Sequence, residues 1–212
     1  MLAMAPTQSG DYGWRNGQPP HTCAYLEPCI LAILAKADVQ RVLDLGSGNG
    51  ALCAAMGASG LEVVGVEADR GGIEAASINF PGIGFFQGNI DDGPGAMVLG
   101  EGPFDAVVST EVVEHLYSPH RLPAYASAVL KPGGLLVVST PYHGFLKNLV
   151  LSVFDAWDSH LTALWCGGHI KFWSRKTLTK LLNQNGFQVI QFHGVGRLPY
   201  LWKSMVVVAR KR

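Results

Sequence analysis

The residues best suited to chemistry fall in two short runs. One is Glu111-Val112-Val113-Glu114-His115, which sets two carboxylates and an imidazole close together. If this segment winds into a helical turn, positions i, i+3 and i+4 project from one face and the three groups converge. Three chemistries are then open. Glu111 could approach a bound cofactor while Glu114 and His115 cap or pack the next helix. His115 could act as a general base, since an unperturbed imidazole titrates near ~6.5. Alternatively, the oxygens and nitrogen could hold Mg²⁺, Mn²⁺, Fe²⁺ or Zn²⁺ and acidify a bound hydroxyl.

The other run is Gly46-Ser47-Gly48-Asn49-Gly50, directly after the apolar stretch RVLDL. Glycines allow close backbone approach to a ligand, and the helix that should follow offers unpaired N–H groups. Glu67 ends the next apolar run, about 20 residues on, where a carboxylate can accept from both hydroxyls of a ribose. The bland alternative is a tight turn beside a solvated acid. The order strand, loop, helix, strand, acid favours the ligand. The loop reads GxGxG after Asp44, whereas dinucleotide folds carry GxGxxG.

These groups must be positioned by regular elements, and the pattern supplies them. Short β-branched runs RVLDL, EVVGVE, IGFFQ, DAVVST and LLVVST alternate with helical segments at about 50–59, 71–79 and 119–130. Near-continuous apolar strands between helices predict a doubly wound α/β fold, its mostly parallel sheet covered on both faces. KPGG at 131–134 reads as the turn into the fifth strand.

Residues 1–38 form an N-terminal arm and helix, with Tyr12 and Trp14 as local pins and Pro28 interrupting or kinking the helix. The main domain spans 39–212 with a helical insertion at about 143–168. Within it, 145–165 joins a dense apolar face to Asp155, Asp158 and His160. It should pack over the sheet or at a homodimer contact, or act as a lid with an apolar wall. Its acids argue against membrane contact. Ser174 should cap a helix ending at Gly186, two strands at about 187–193 and 204–210 should pair as an antiparallel hairpin, and the final ARKR should be a frayed end.

At this point a resemblance is plain. LDLGSGNG, VVGVEAD, FFQGNIDD, FDAVVSTEVVEHL and LKPGGLLVVSTP resemble the successive motifs of class I S-adenosylmethionine-dependent methyltransferases, across about residues 40–141. The resemblance implies a seven-stranded Rossmann-like sheet whose last strand is antiparallel, with S-adenosylmethionine lying across the C-terminal strand edges. Asp44, Gly46, Ser47, Gly48 and Gly50 would face its methionine and adenosine parts, and Glu67 with Ala68 its ribose. Asn89 and Ile90 would sit by the adenine, with Thr110 and Glu111 also on the cofactor. Many members have Asp where this chain has Asn89, which keeps an acceptor and loses the charge.

The ExxEH segment is similar to ubiquinone-biosynthesis-type O-methyltransferases, in which the residues matching Glu111, Glu114 and His115 bind metal. It is also similar to small-RNA 2′-O-methyltransferases, where a later histidine in a His-Lys-Phe context joins the set; GGHIKFWSR offers His169. The resemblance thus implies O-methylation; zero net charge and the insertion point to a small, apolar or aromatic acceptor, with Glu114, His115 and His143 as catalytic candidates. RNA 2′-O-methylation and non-catalytic cofactor binding are the alternatives. No NPPY-type motif of amino-methylating enzymes is present.

Composition narrows the field further. Sixteen Lys+Arg balance sixteen Asp+Glu, and only 15% of residues are charged, against about 25% in ordinary domains. This excludes a charge-driven or disordered protein and any global field for RNA or anionic membranes. The 26 glycines in 212 residues follow no short period, which excludes collagen-like repeats. Cys23, Cys29, Cys53 and Cys166 match no CxxC pattern and read as reduced. A basic signal-peptide region and an 18-residue apolar run are both lacking, so the expectation is a cytoplasmic monomer or homodimer.

Overall fold

The computed structural model describes residues 14, 16–161, 164–165 and 167–212. Tyr12, the first part of the arm and Cys166 lie outside the described residues. Seven strands form one sheet: β1 (Arg41–Leu45), β2 (Glu62–Glu67), β3 (Gly84–Gln87), β4 (Phe104–Thr110), β5 (Leu130–Pro141), β6 (Phe187–Val195) and β7 (Ser204–Lys211). Their order is β3-β2-β1-β4-β5-β7-β6. The first five strands are parallel, and β7 runs antiparallel to both β5 and β6. This is the Rossmann-like sheet that the β-branched runs predict.

Alternation along each strand divides the core between two faces. Leu43, Val64, Val66, Val107, Leu136 and Val138 pack on one side beneath α5 (Arg121–Val129) and α8 (Arg175–Gln184). Val42, Val63, Ala106, Val108 and Val137 pack on the other, against α1 (Cys23–Lys36) and α2 (Ala51–Ala58). Both faces are covered, so the strands can be apolar throughout. The strand order reverses between β1 and β4, and the C-terminal edges there open the crevice where such folds take ligands.

The remaining helices are α3 (Arg70–Asn79), the short α4 (Ala96–Glu101), α6 (Phe145–Val153) and α7 (Trp157–Leu161). Several expectations need correction. Helix α1 runs on through Pro28. Leu26, Ile30, Ile33 and Leu34 are all buried at helical spacing, and that burial outweighs the roughly 3 kcal/mol an interior proline costs. KPGG lies within β5, which shifts register against β4 between Phe104 and Ala106. The insertion forms two helices, α6 and α7, instead of one. The chain's last residues are not frayed: Lys211 Nζ donates to the carbonyls of Ser127 and Leu130, tying β7 to the end of α5. As expected, Ser174 forms a capping box with Thr177, and Gly186 follows α8 at φ +85°.

Candidate active site

The glycine loop leaves β1 and turns sharply before α2. Gly46 and Gly48 have φ of +88° and +54°, a region that other residues rarely adopt. A side chain on Gly46 would overlap Val112, and a Cβ on Gly48 would stand 2.9 Å from the Trp14 indole. The amides of Gly46 and Ser47 donate to the Val66 carbonyl at 2.8 and 3.0 Å, fastening the loop to β2.

Glu67 completes the clamp. Its Oε2 accepts from Gly48 N at 2.8 Å, and its Oε1 accepts from Ala68 N at 2.8 Å and Asp69 N at 2.9 Å. Burial pushes this carboxyl above its usual range, and the three N–H donors pull it back. A carboxylate has about four lone-pair sites, so little acceptor capacity remains for a ribose. The predicted ribose ligand is therefore also the fixture that shapes the loop.

The loop, Glu67 and the ExxEH segment share one cavity of about 970 Å³. Of the residues predicted to hold the cofactor, Gly46, Glu67, Ala68, Asn89, Ile90 and Glu111 line it. Asp44, Ser47, Gly48, Gly50 and Thr110 do not line it. Asp44 accepts from Cys53 Sγ at 3.2 Å through Oδ2, while Oδ1 is buried without a hydrogen bond. Burial pushes its carboxyl up to about 7. The Asn89 side chain accepts from Asp91 N at 3.0 Å, capping a short 3₁₀ turn at Ile90–Asp92.

The ExxEH segment does not make the regular helical turn on which convergence depended. Glu111 is left-handed at φ +55°, and only Val113–His115 form a 3₁₀ turn. Glu111 Oε1 accepts from Ser139 Oγ at 2.8 Å and Oε2 from Ser204 Oγ at 3.1 Å. Burial raises its carboxyl to about 7. Among the described residues Glu111 is thus tied to β5 and β7 and is not part of the ligand cluster that holds Glu114 and His115.

His169 takes its place. The Glu114 carbonyl accepts from the amides of Ile170 and Lys171 at 3.0 and 3.1 Å, which anchors the segment carrying His169. One ligand atom from each of Glu114, His115 and His169 lies within 4.8 Å of the others. Thr140 Oγ1 donates to Glu114 Oε2 at 3.0 Å. Oε1 is buried without a hydrogen-bond partner and stands 3.9 Å from His169 Nε2.

Burial drives the Glu114 carboxyl well above its normal range, with the charge of Glu111 adding to the effect. Burial also lowers both imidazoles, His169 to about 4. One carboxylate oxygen left unpaired beside two neutral imidazoles fits a divalent transition metal or Zn²⁺. His115 Nδ1 lies 3.3 Å from the Gly168 carbonyl, the kind of contact that fixes a ligand imidazole's orientation.

His143 stands apart from this set and is not on the cavity wall. It packs 5.0 Å from the Phe172 ring and 5.3 Å from His160, with Nδ1 3.3 Å from Asn148 Oδ1. Burial lowers it to about 4. The basic-aromatic run at 171–176 is divided: Lys171 donates to the Tyr117 carbonyl at 2.9 Å, and Arg175 lies over the Phe192 ring at 4.6 Å.

Several wall residues carried no sequence signal, among them Tyr25 from α1, Lys147 from α6, and Arg197 and Lys203 from the β6–β7 connection. A lysine in an apolar helix reads as solvated, yet Lys147 is only 6% exposed. Trp14, expected as a local pin, covers the glycine loop at Gly48 and joins the wall.

Comparison with known proteins agrees with this fold. The chain matches the family described as a methyltransferase domain over residues 21–192. The ubiquinone biosynthesis O-methyltransferase of Ruegeria sp. (strain TM1040) is 32% identical over 168 residues, covering 77% of this chain and 66% of that protein. The one from Dinoroseobacter shibae is 32% identical over 157 residues, covering 73% and 62%. For a third, from Maricaulis maris, the match spans 40% of the relative; the chain thus spans less than two thirds of the length of these curated relatives. Magnesium protoporphyrin IX methyltransferase from Synechocystis PCC 6803, solved with bound SAH, has the same fold, with a TM-score of 0.67 at 16% identity, covering 88% of this chain and 82% of that one.

Proposed function

The chain belongs to the methyltransferase-domain family, and from that premise we propose that it moves the sulfonium methyl of S-adenosylmethionine to a hydroxyl oxygen of a small aromatic or apolar acceptor. The observation that carries this reading is the single cavity joining the Glu67-clamped glycine loop to His115 and His169. Such a space can align nucleophile, methyl carbon and leaving sulfur, and alignment is most of what an in-line displacement asks of a protein.

The chain's own residues divide the work. Gly46 lets the backbone approach the cofactor, and Asn89 and Ile90 wall the adenine end. Glu114, His115 and His169 would hold a divalent cation; when bound, it would acidify the acceptor hydroxyl. Thr140 and the Gly168 carbonyl orient two of these groups. In the version without metal, His115 is the general base.

The test is S-adenosylhomocysteine release with a catechol as acceptor, with and without a chelator. Turnover that chelation abolishes and Zn²⁺ or Mn²⁺ restores supports the metal-assisted form. Turnover indifferent to chelation leaves His115 as base. Cofactor binding without turnover for any hydroxyl acceptor means a non-catalytic binding protein.

RNA 2′-O-methylation is the second reading. It is favoured by His169, the later histidine, joining Glu114 and His115. The chain's zero net charge opposes it.

A further inference from the structure

The cavity is electrically asymmetric. Its cofactor end is walled by β1, β2 and the segment after β3, where Glu67 and Asp91 stand. At its other end, Lys147 of α6 and Arg197 and Lys203 of the β6–β7 connection line the wall. Lys147 is the telling residue. It is only 6% exposed, and Nζ donates to the Lys203 carbonyl at 3.2 Å. Among the described residues no carboxylate lies within 4.0 Å of it.

Glu111 is the acid near enough to influence Lys147. Its two oxygens, however, accept from Ser139 and Ser204. Lys203 Nζ sits over the Tyr25 ring at 5.3 Å. A buried ammonium is costly to desolvate unless something opposite in charge meets it. Burial and the charge of Arg197 lower Lys147 to about 8, which leaves it largely protonated at neutral pH.

Building on the methyl-transfer reading, we propose that the acceptor carries an anionic group, a carboxylate or phosphate, seated between Lys147 and Arg197. A carboxylate is also present on the cofactor's methionine, so the source must be argued. Lys147 and Arg197 arise on the β5-β7-β6 half of the sheet, whereas the glycine loop leaves β1. Three strand steps separate β1 from β7, about 14 Å at the usual spacing. Leu151, Trp165 and Leu201 line the same cavity as Lys147, and these apolar or aromatic groups suit the body of an acceptor. The acceptor is therefore amphipathic, with an apolar body and a negative end.

The test uses three catechols that differ in charge, 3,4-dihydroxyphenylacetate, 4-methylcatechol and dopamine. Each is titrated calorimetrically into the protein saturated with S-adenosylhomocysteine, and then assayed for methyl transfer. The anion should bind at least tenfold more tightly than the neutral catechol, and dopamine weakest. Lys147→Met should erase that order, and Lys147→Arg should keep it. Arg197→Met, at an exposed position, should narrow it and serves if Lys147→Met does not fold.

Equal affinities, a preference for dopamine, or no binding of any of the three overturns the inference. So does a Lys147→Met protein that loses S-adenosylhomocysteine affinity while retaining the charge order, because the cofactor's carboxylate would then be the partner. If the charge order stands but no methyl moves to any of these hydroxyls, the anion site survives and the O-methylation reading is what fails.

Discussion

At the scale of single residues, two carboxylates have opposite expected behaviour. Glu67 spends both oxygens on backbone amides of the glycine loop and its own turn. Glu67→Ala should therefore weaken S-adenosylhomocysteine binding by about 1–3 kcal/mol, through lost charged hydrogen bonds and a slackened loop. Calorimetry would check this, and unchanged affinity would remove Glu67 from the site.

Asp44 is raised from 3.8 to about 7 by burial. Its ionised form therefore opposes folding. Stability tied to its proton is fully present below about pH 4 and is lost as pH rises through about 7. Asp44→Asn should match the parent below pH ~4 and melt at higher temperature above pH ~7, with the gap growing between them. Thermal melts across that range decide it. Asp44 was legible as a motif residue, but its burial beside Cys53 was not, because the sequence does not say which side of a loop faces the ligand.

At the scale of elements, the parallel sheet was readable because strands buried on both faces must be apolar, as RVLDL and LLVVST are. Helix starts and stops with a chemical mark were readable too, as at Ser174 and Gly186. What failed had a physical cause in each case. The convergence of Glu111, Glu114 and His115 assumed a regular turn, and a left-handed Glu111 breaks it. Pro28 was outweighed by tertiary burial. The insertion divides after Val153, where Asp155 adopts φ +48°.

The Ser174 cap gives a test at this scale. Ser174 Oγ accepts from Thr177 N at 3.3 Å. Ser174→Ala should cost about 1 kcal/mol of stability. It should leave kcat nearly unchanged below the transition, since α8 lies away from the cavity; denaturant unfolding and an activity assay measure the two effects. A large fall in kcat would show that α8 positions the Trp173–His169 segment more tightly than supposed.

At the scale of the whole molecule, charge balance and cavity shape decide between acceptors. With sixteen positive and sixteen negative side chains, the protein has no broad field for a polyanion. Short RNA should bind weakly, if at all, with a shallow dependence on salt. A steep fall of affinity between 50 and 200 mM salt would instead favour the RNA reading, because it counts phosphates neutralised. No helix among the described residues is long and apolar enough to cross a membrane.

The fold was visible in the sequence, and the glycines and acid at fixed intervals marked the loop and Glu67 that share the cavity. The basic end of the cavity was not. Lys147 and Arg197 come from segments far apart in the chain, and only the folded sheet edge brings them to one wall.

The most direct measurement follows the methyl group itself. The protein is incubated with S-adenosylmethionine carrying a deuterated methyl and with 3,4-dihydroxyphenylacetate, and the products are read by mass spectrometry. The expected products are S-adenosylhomocysteine and a ring-O-trideuteromethyl catechol. S-adenosylmethionine bound at the glycine loop with no deuterium reaching any hydroxyl acceptor would contradict it.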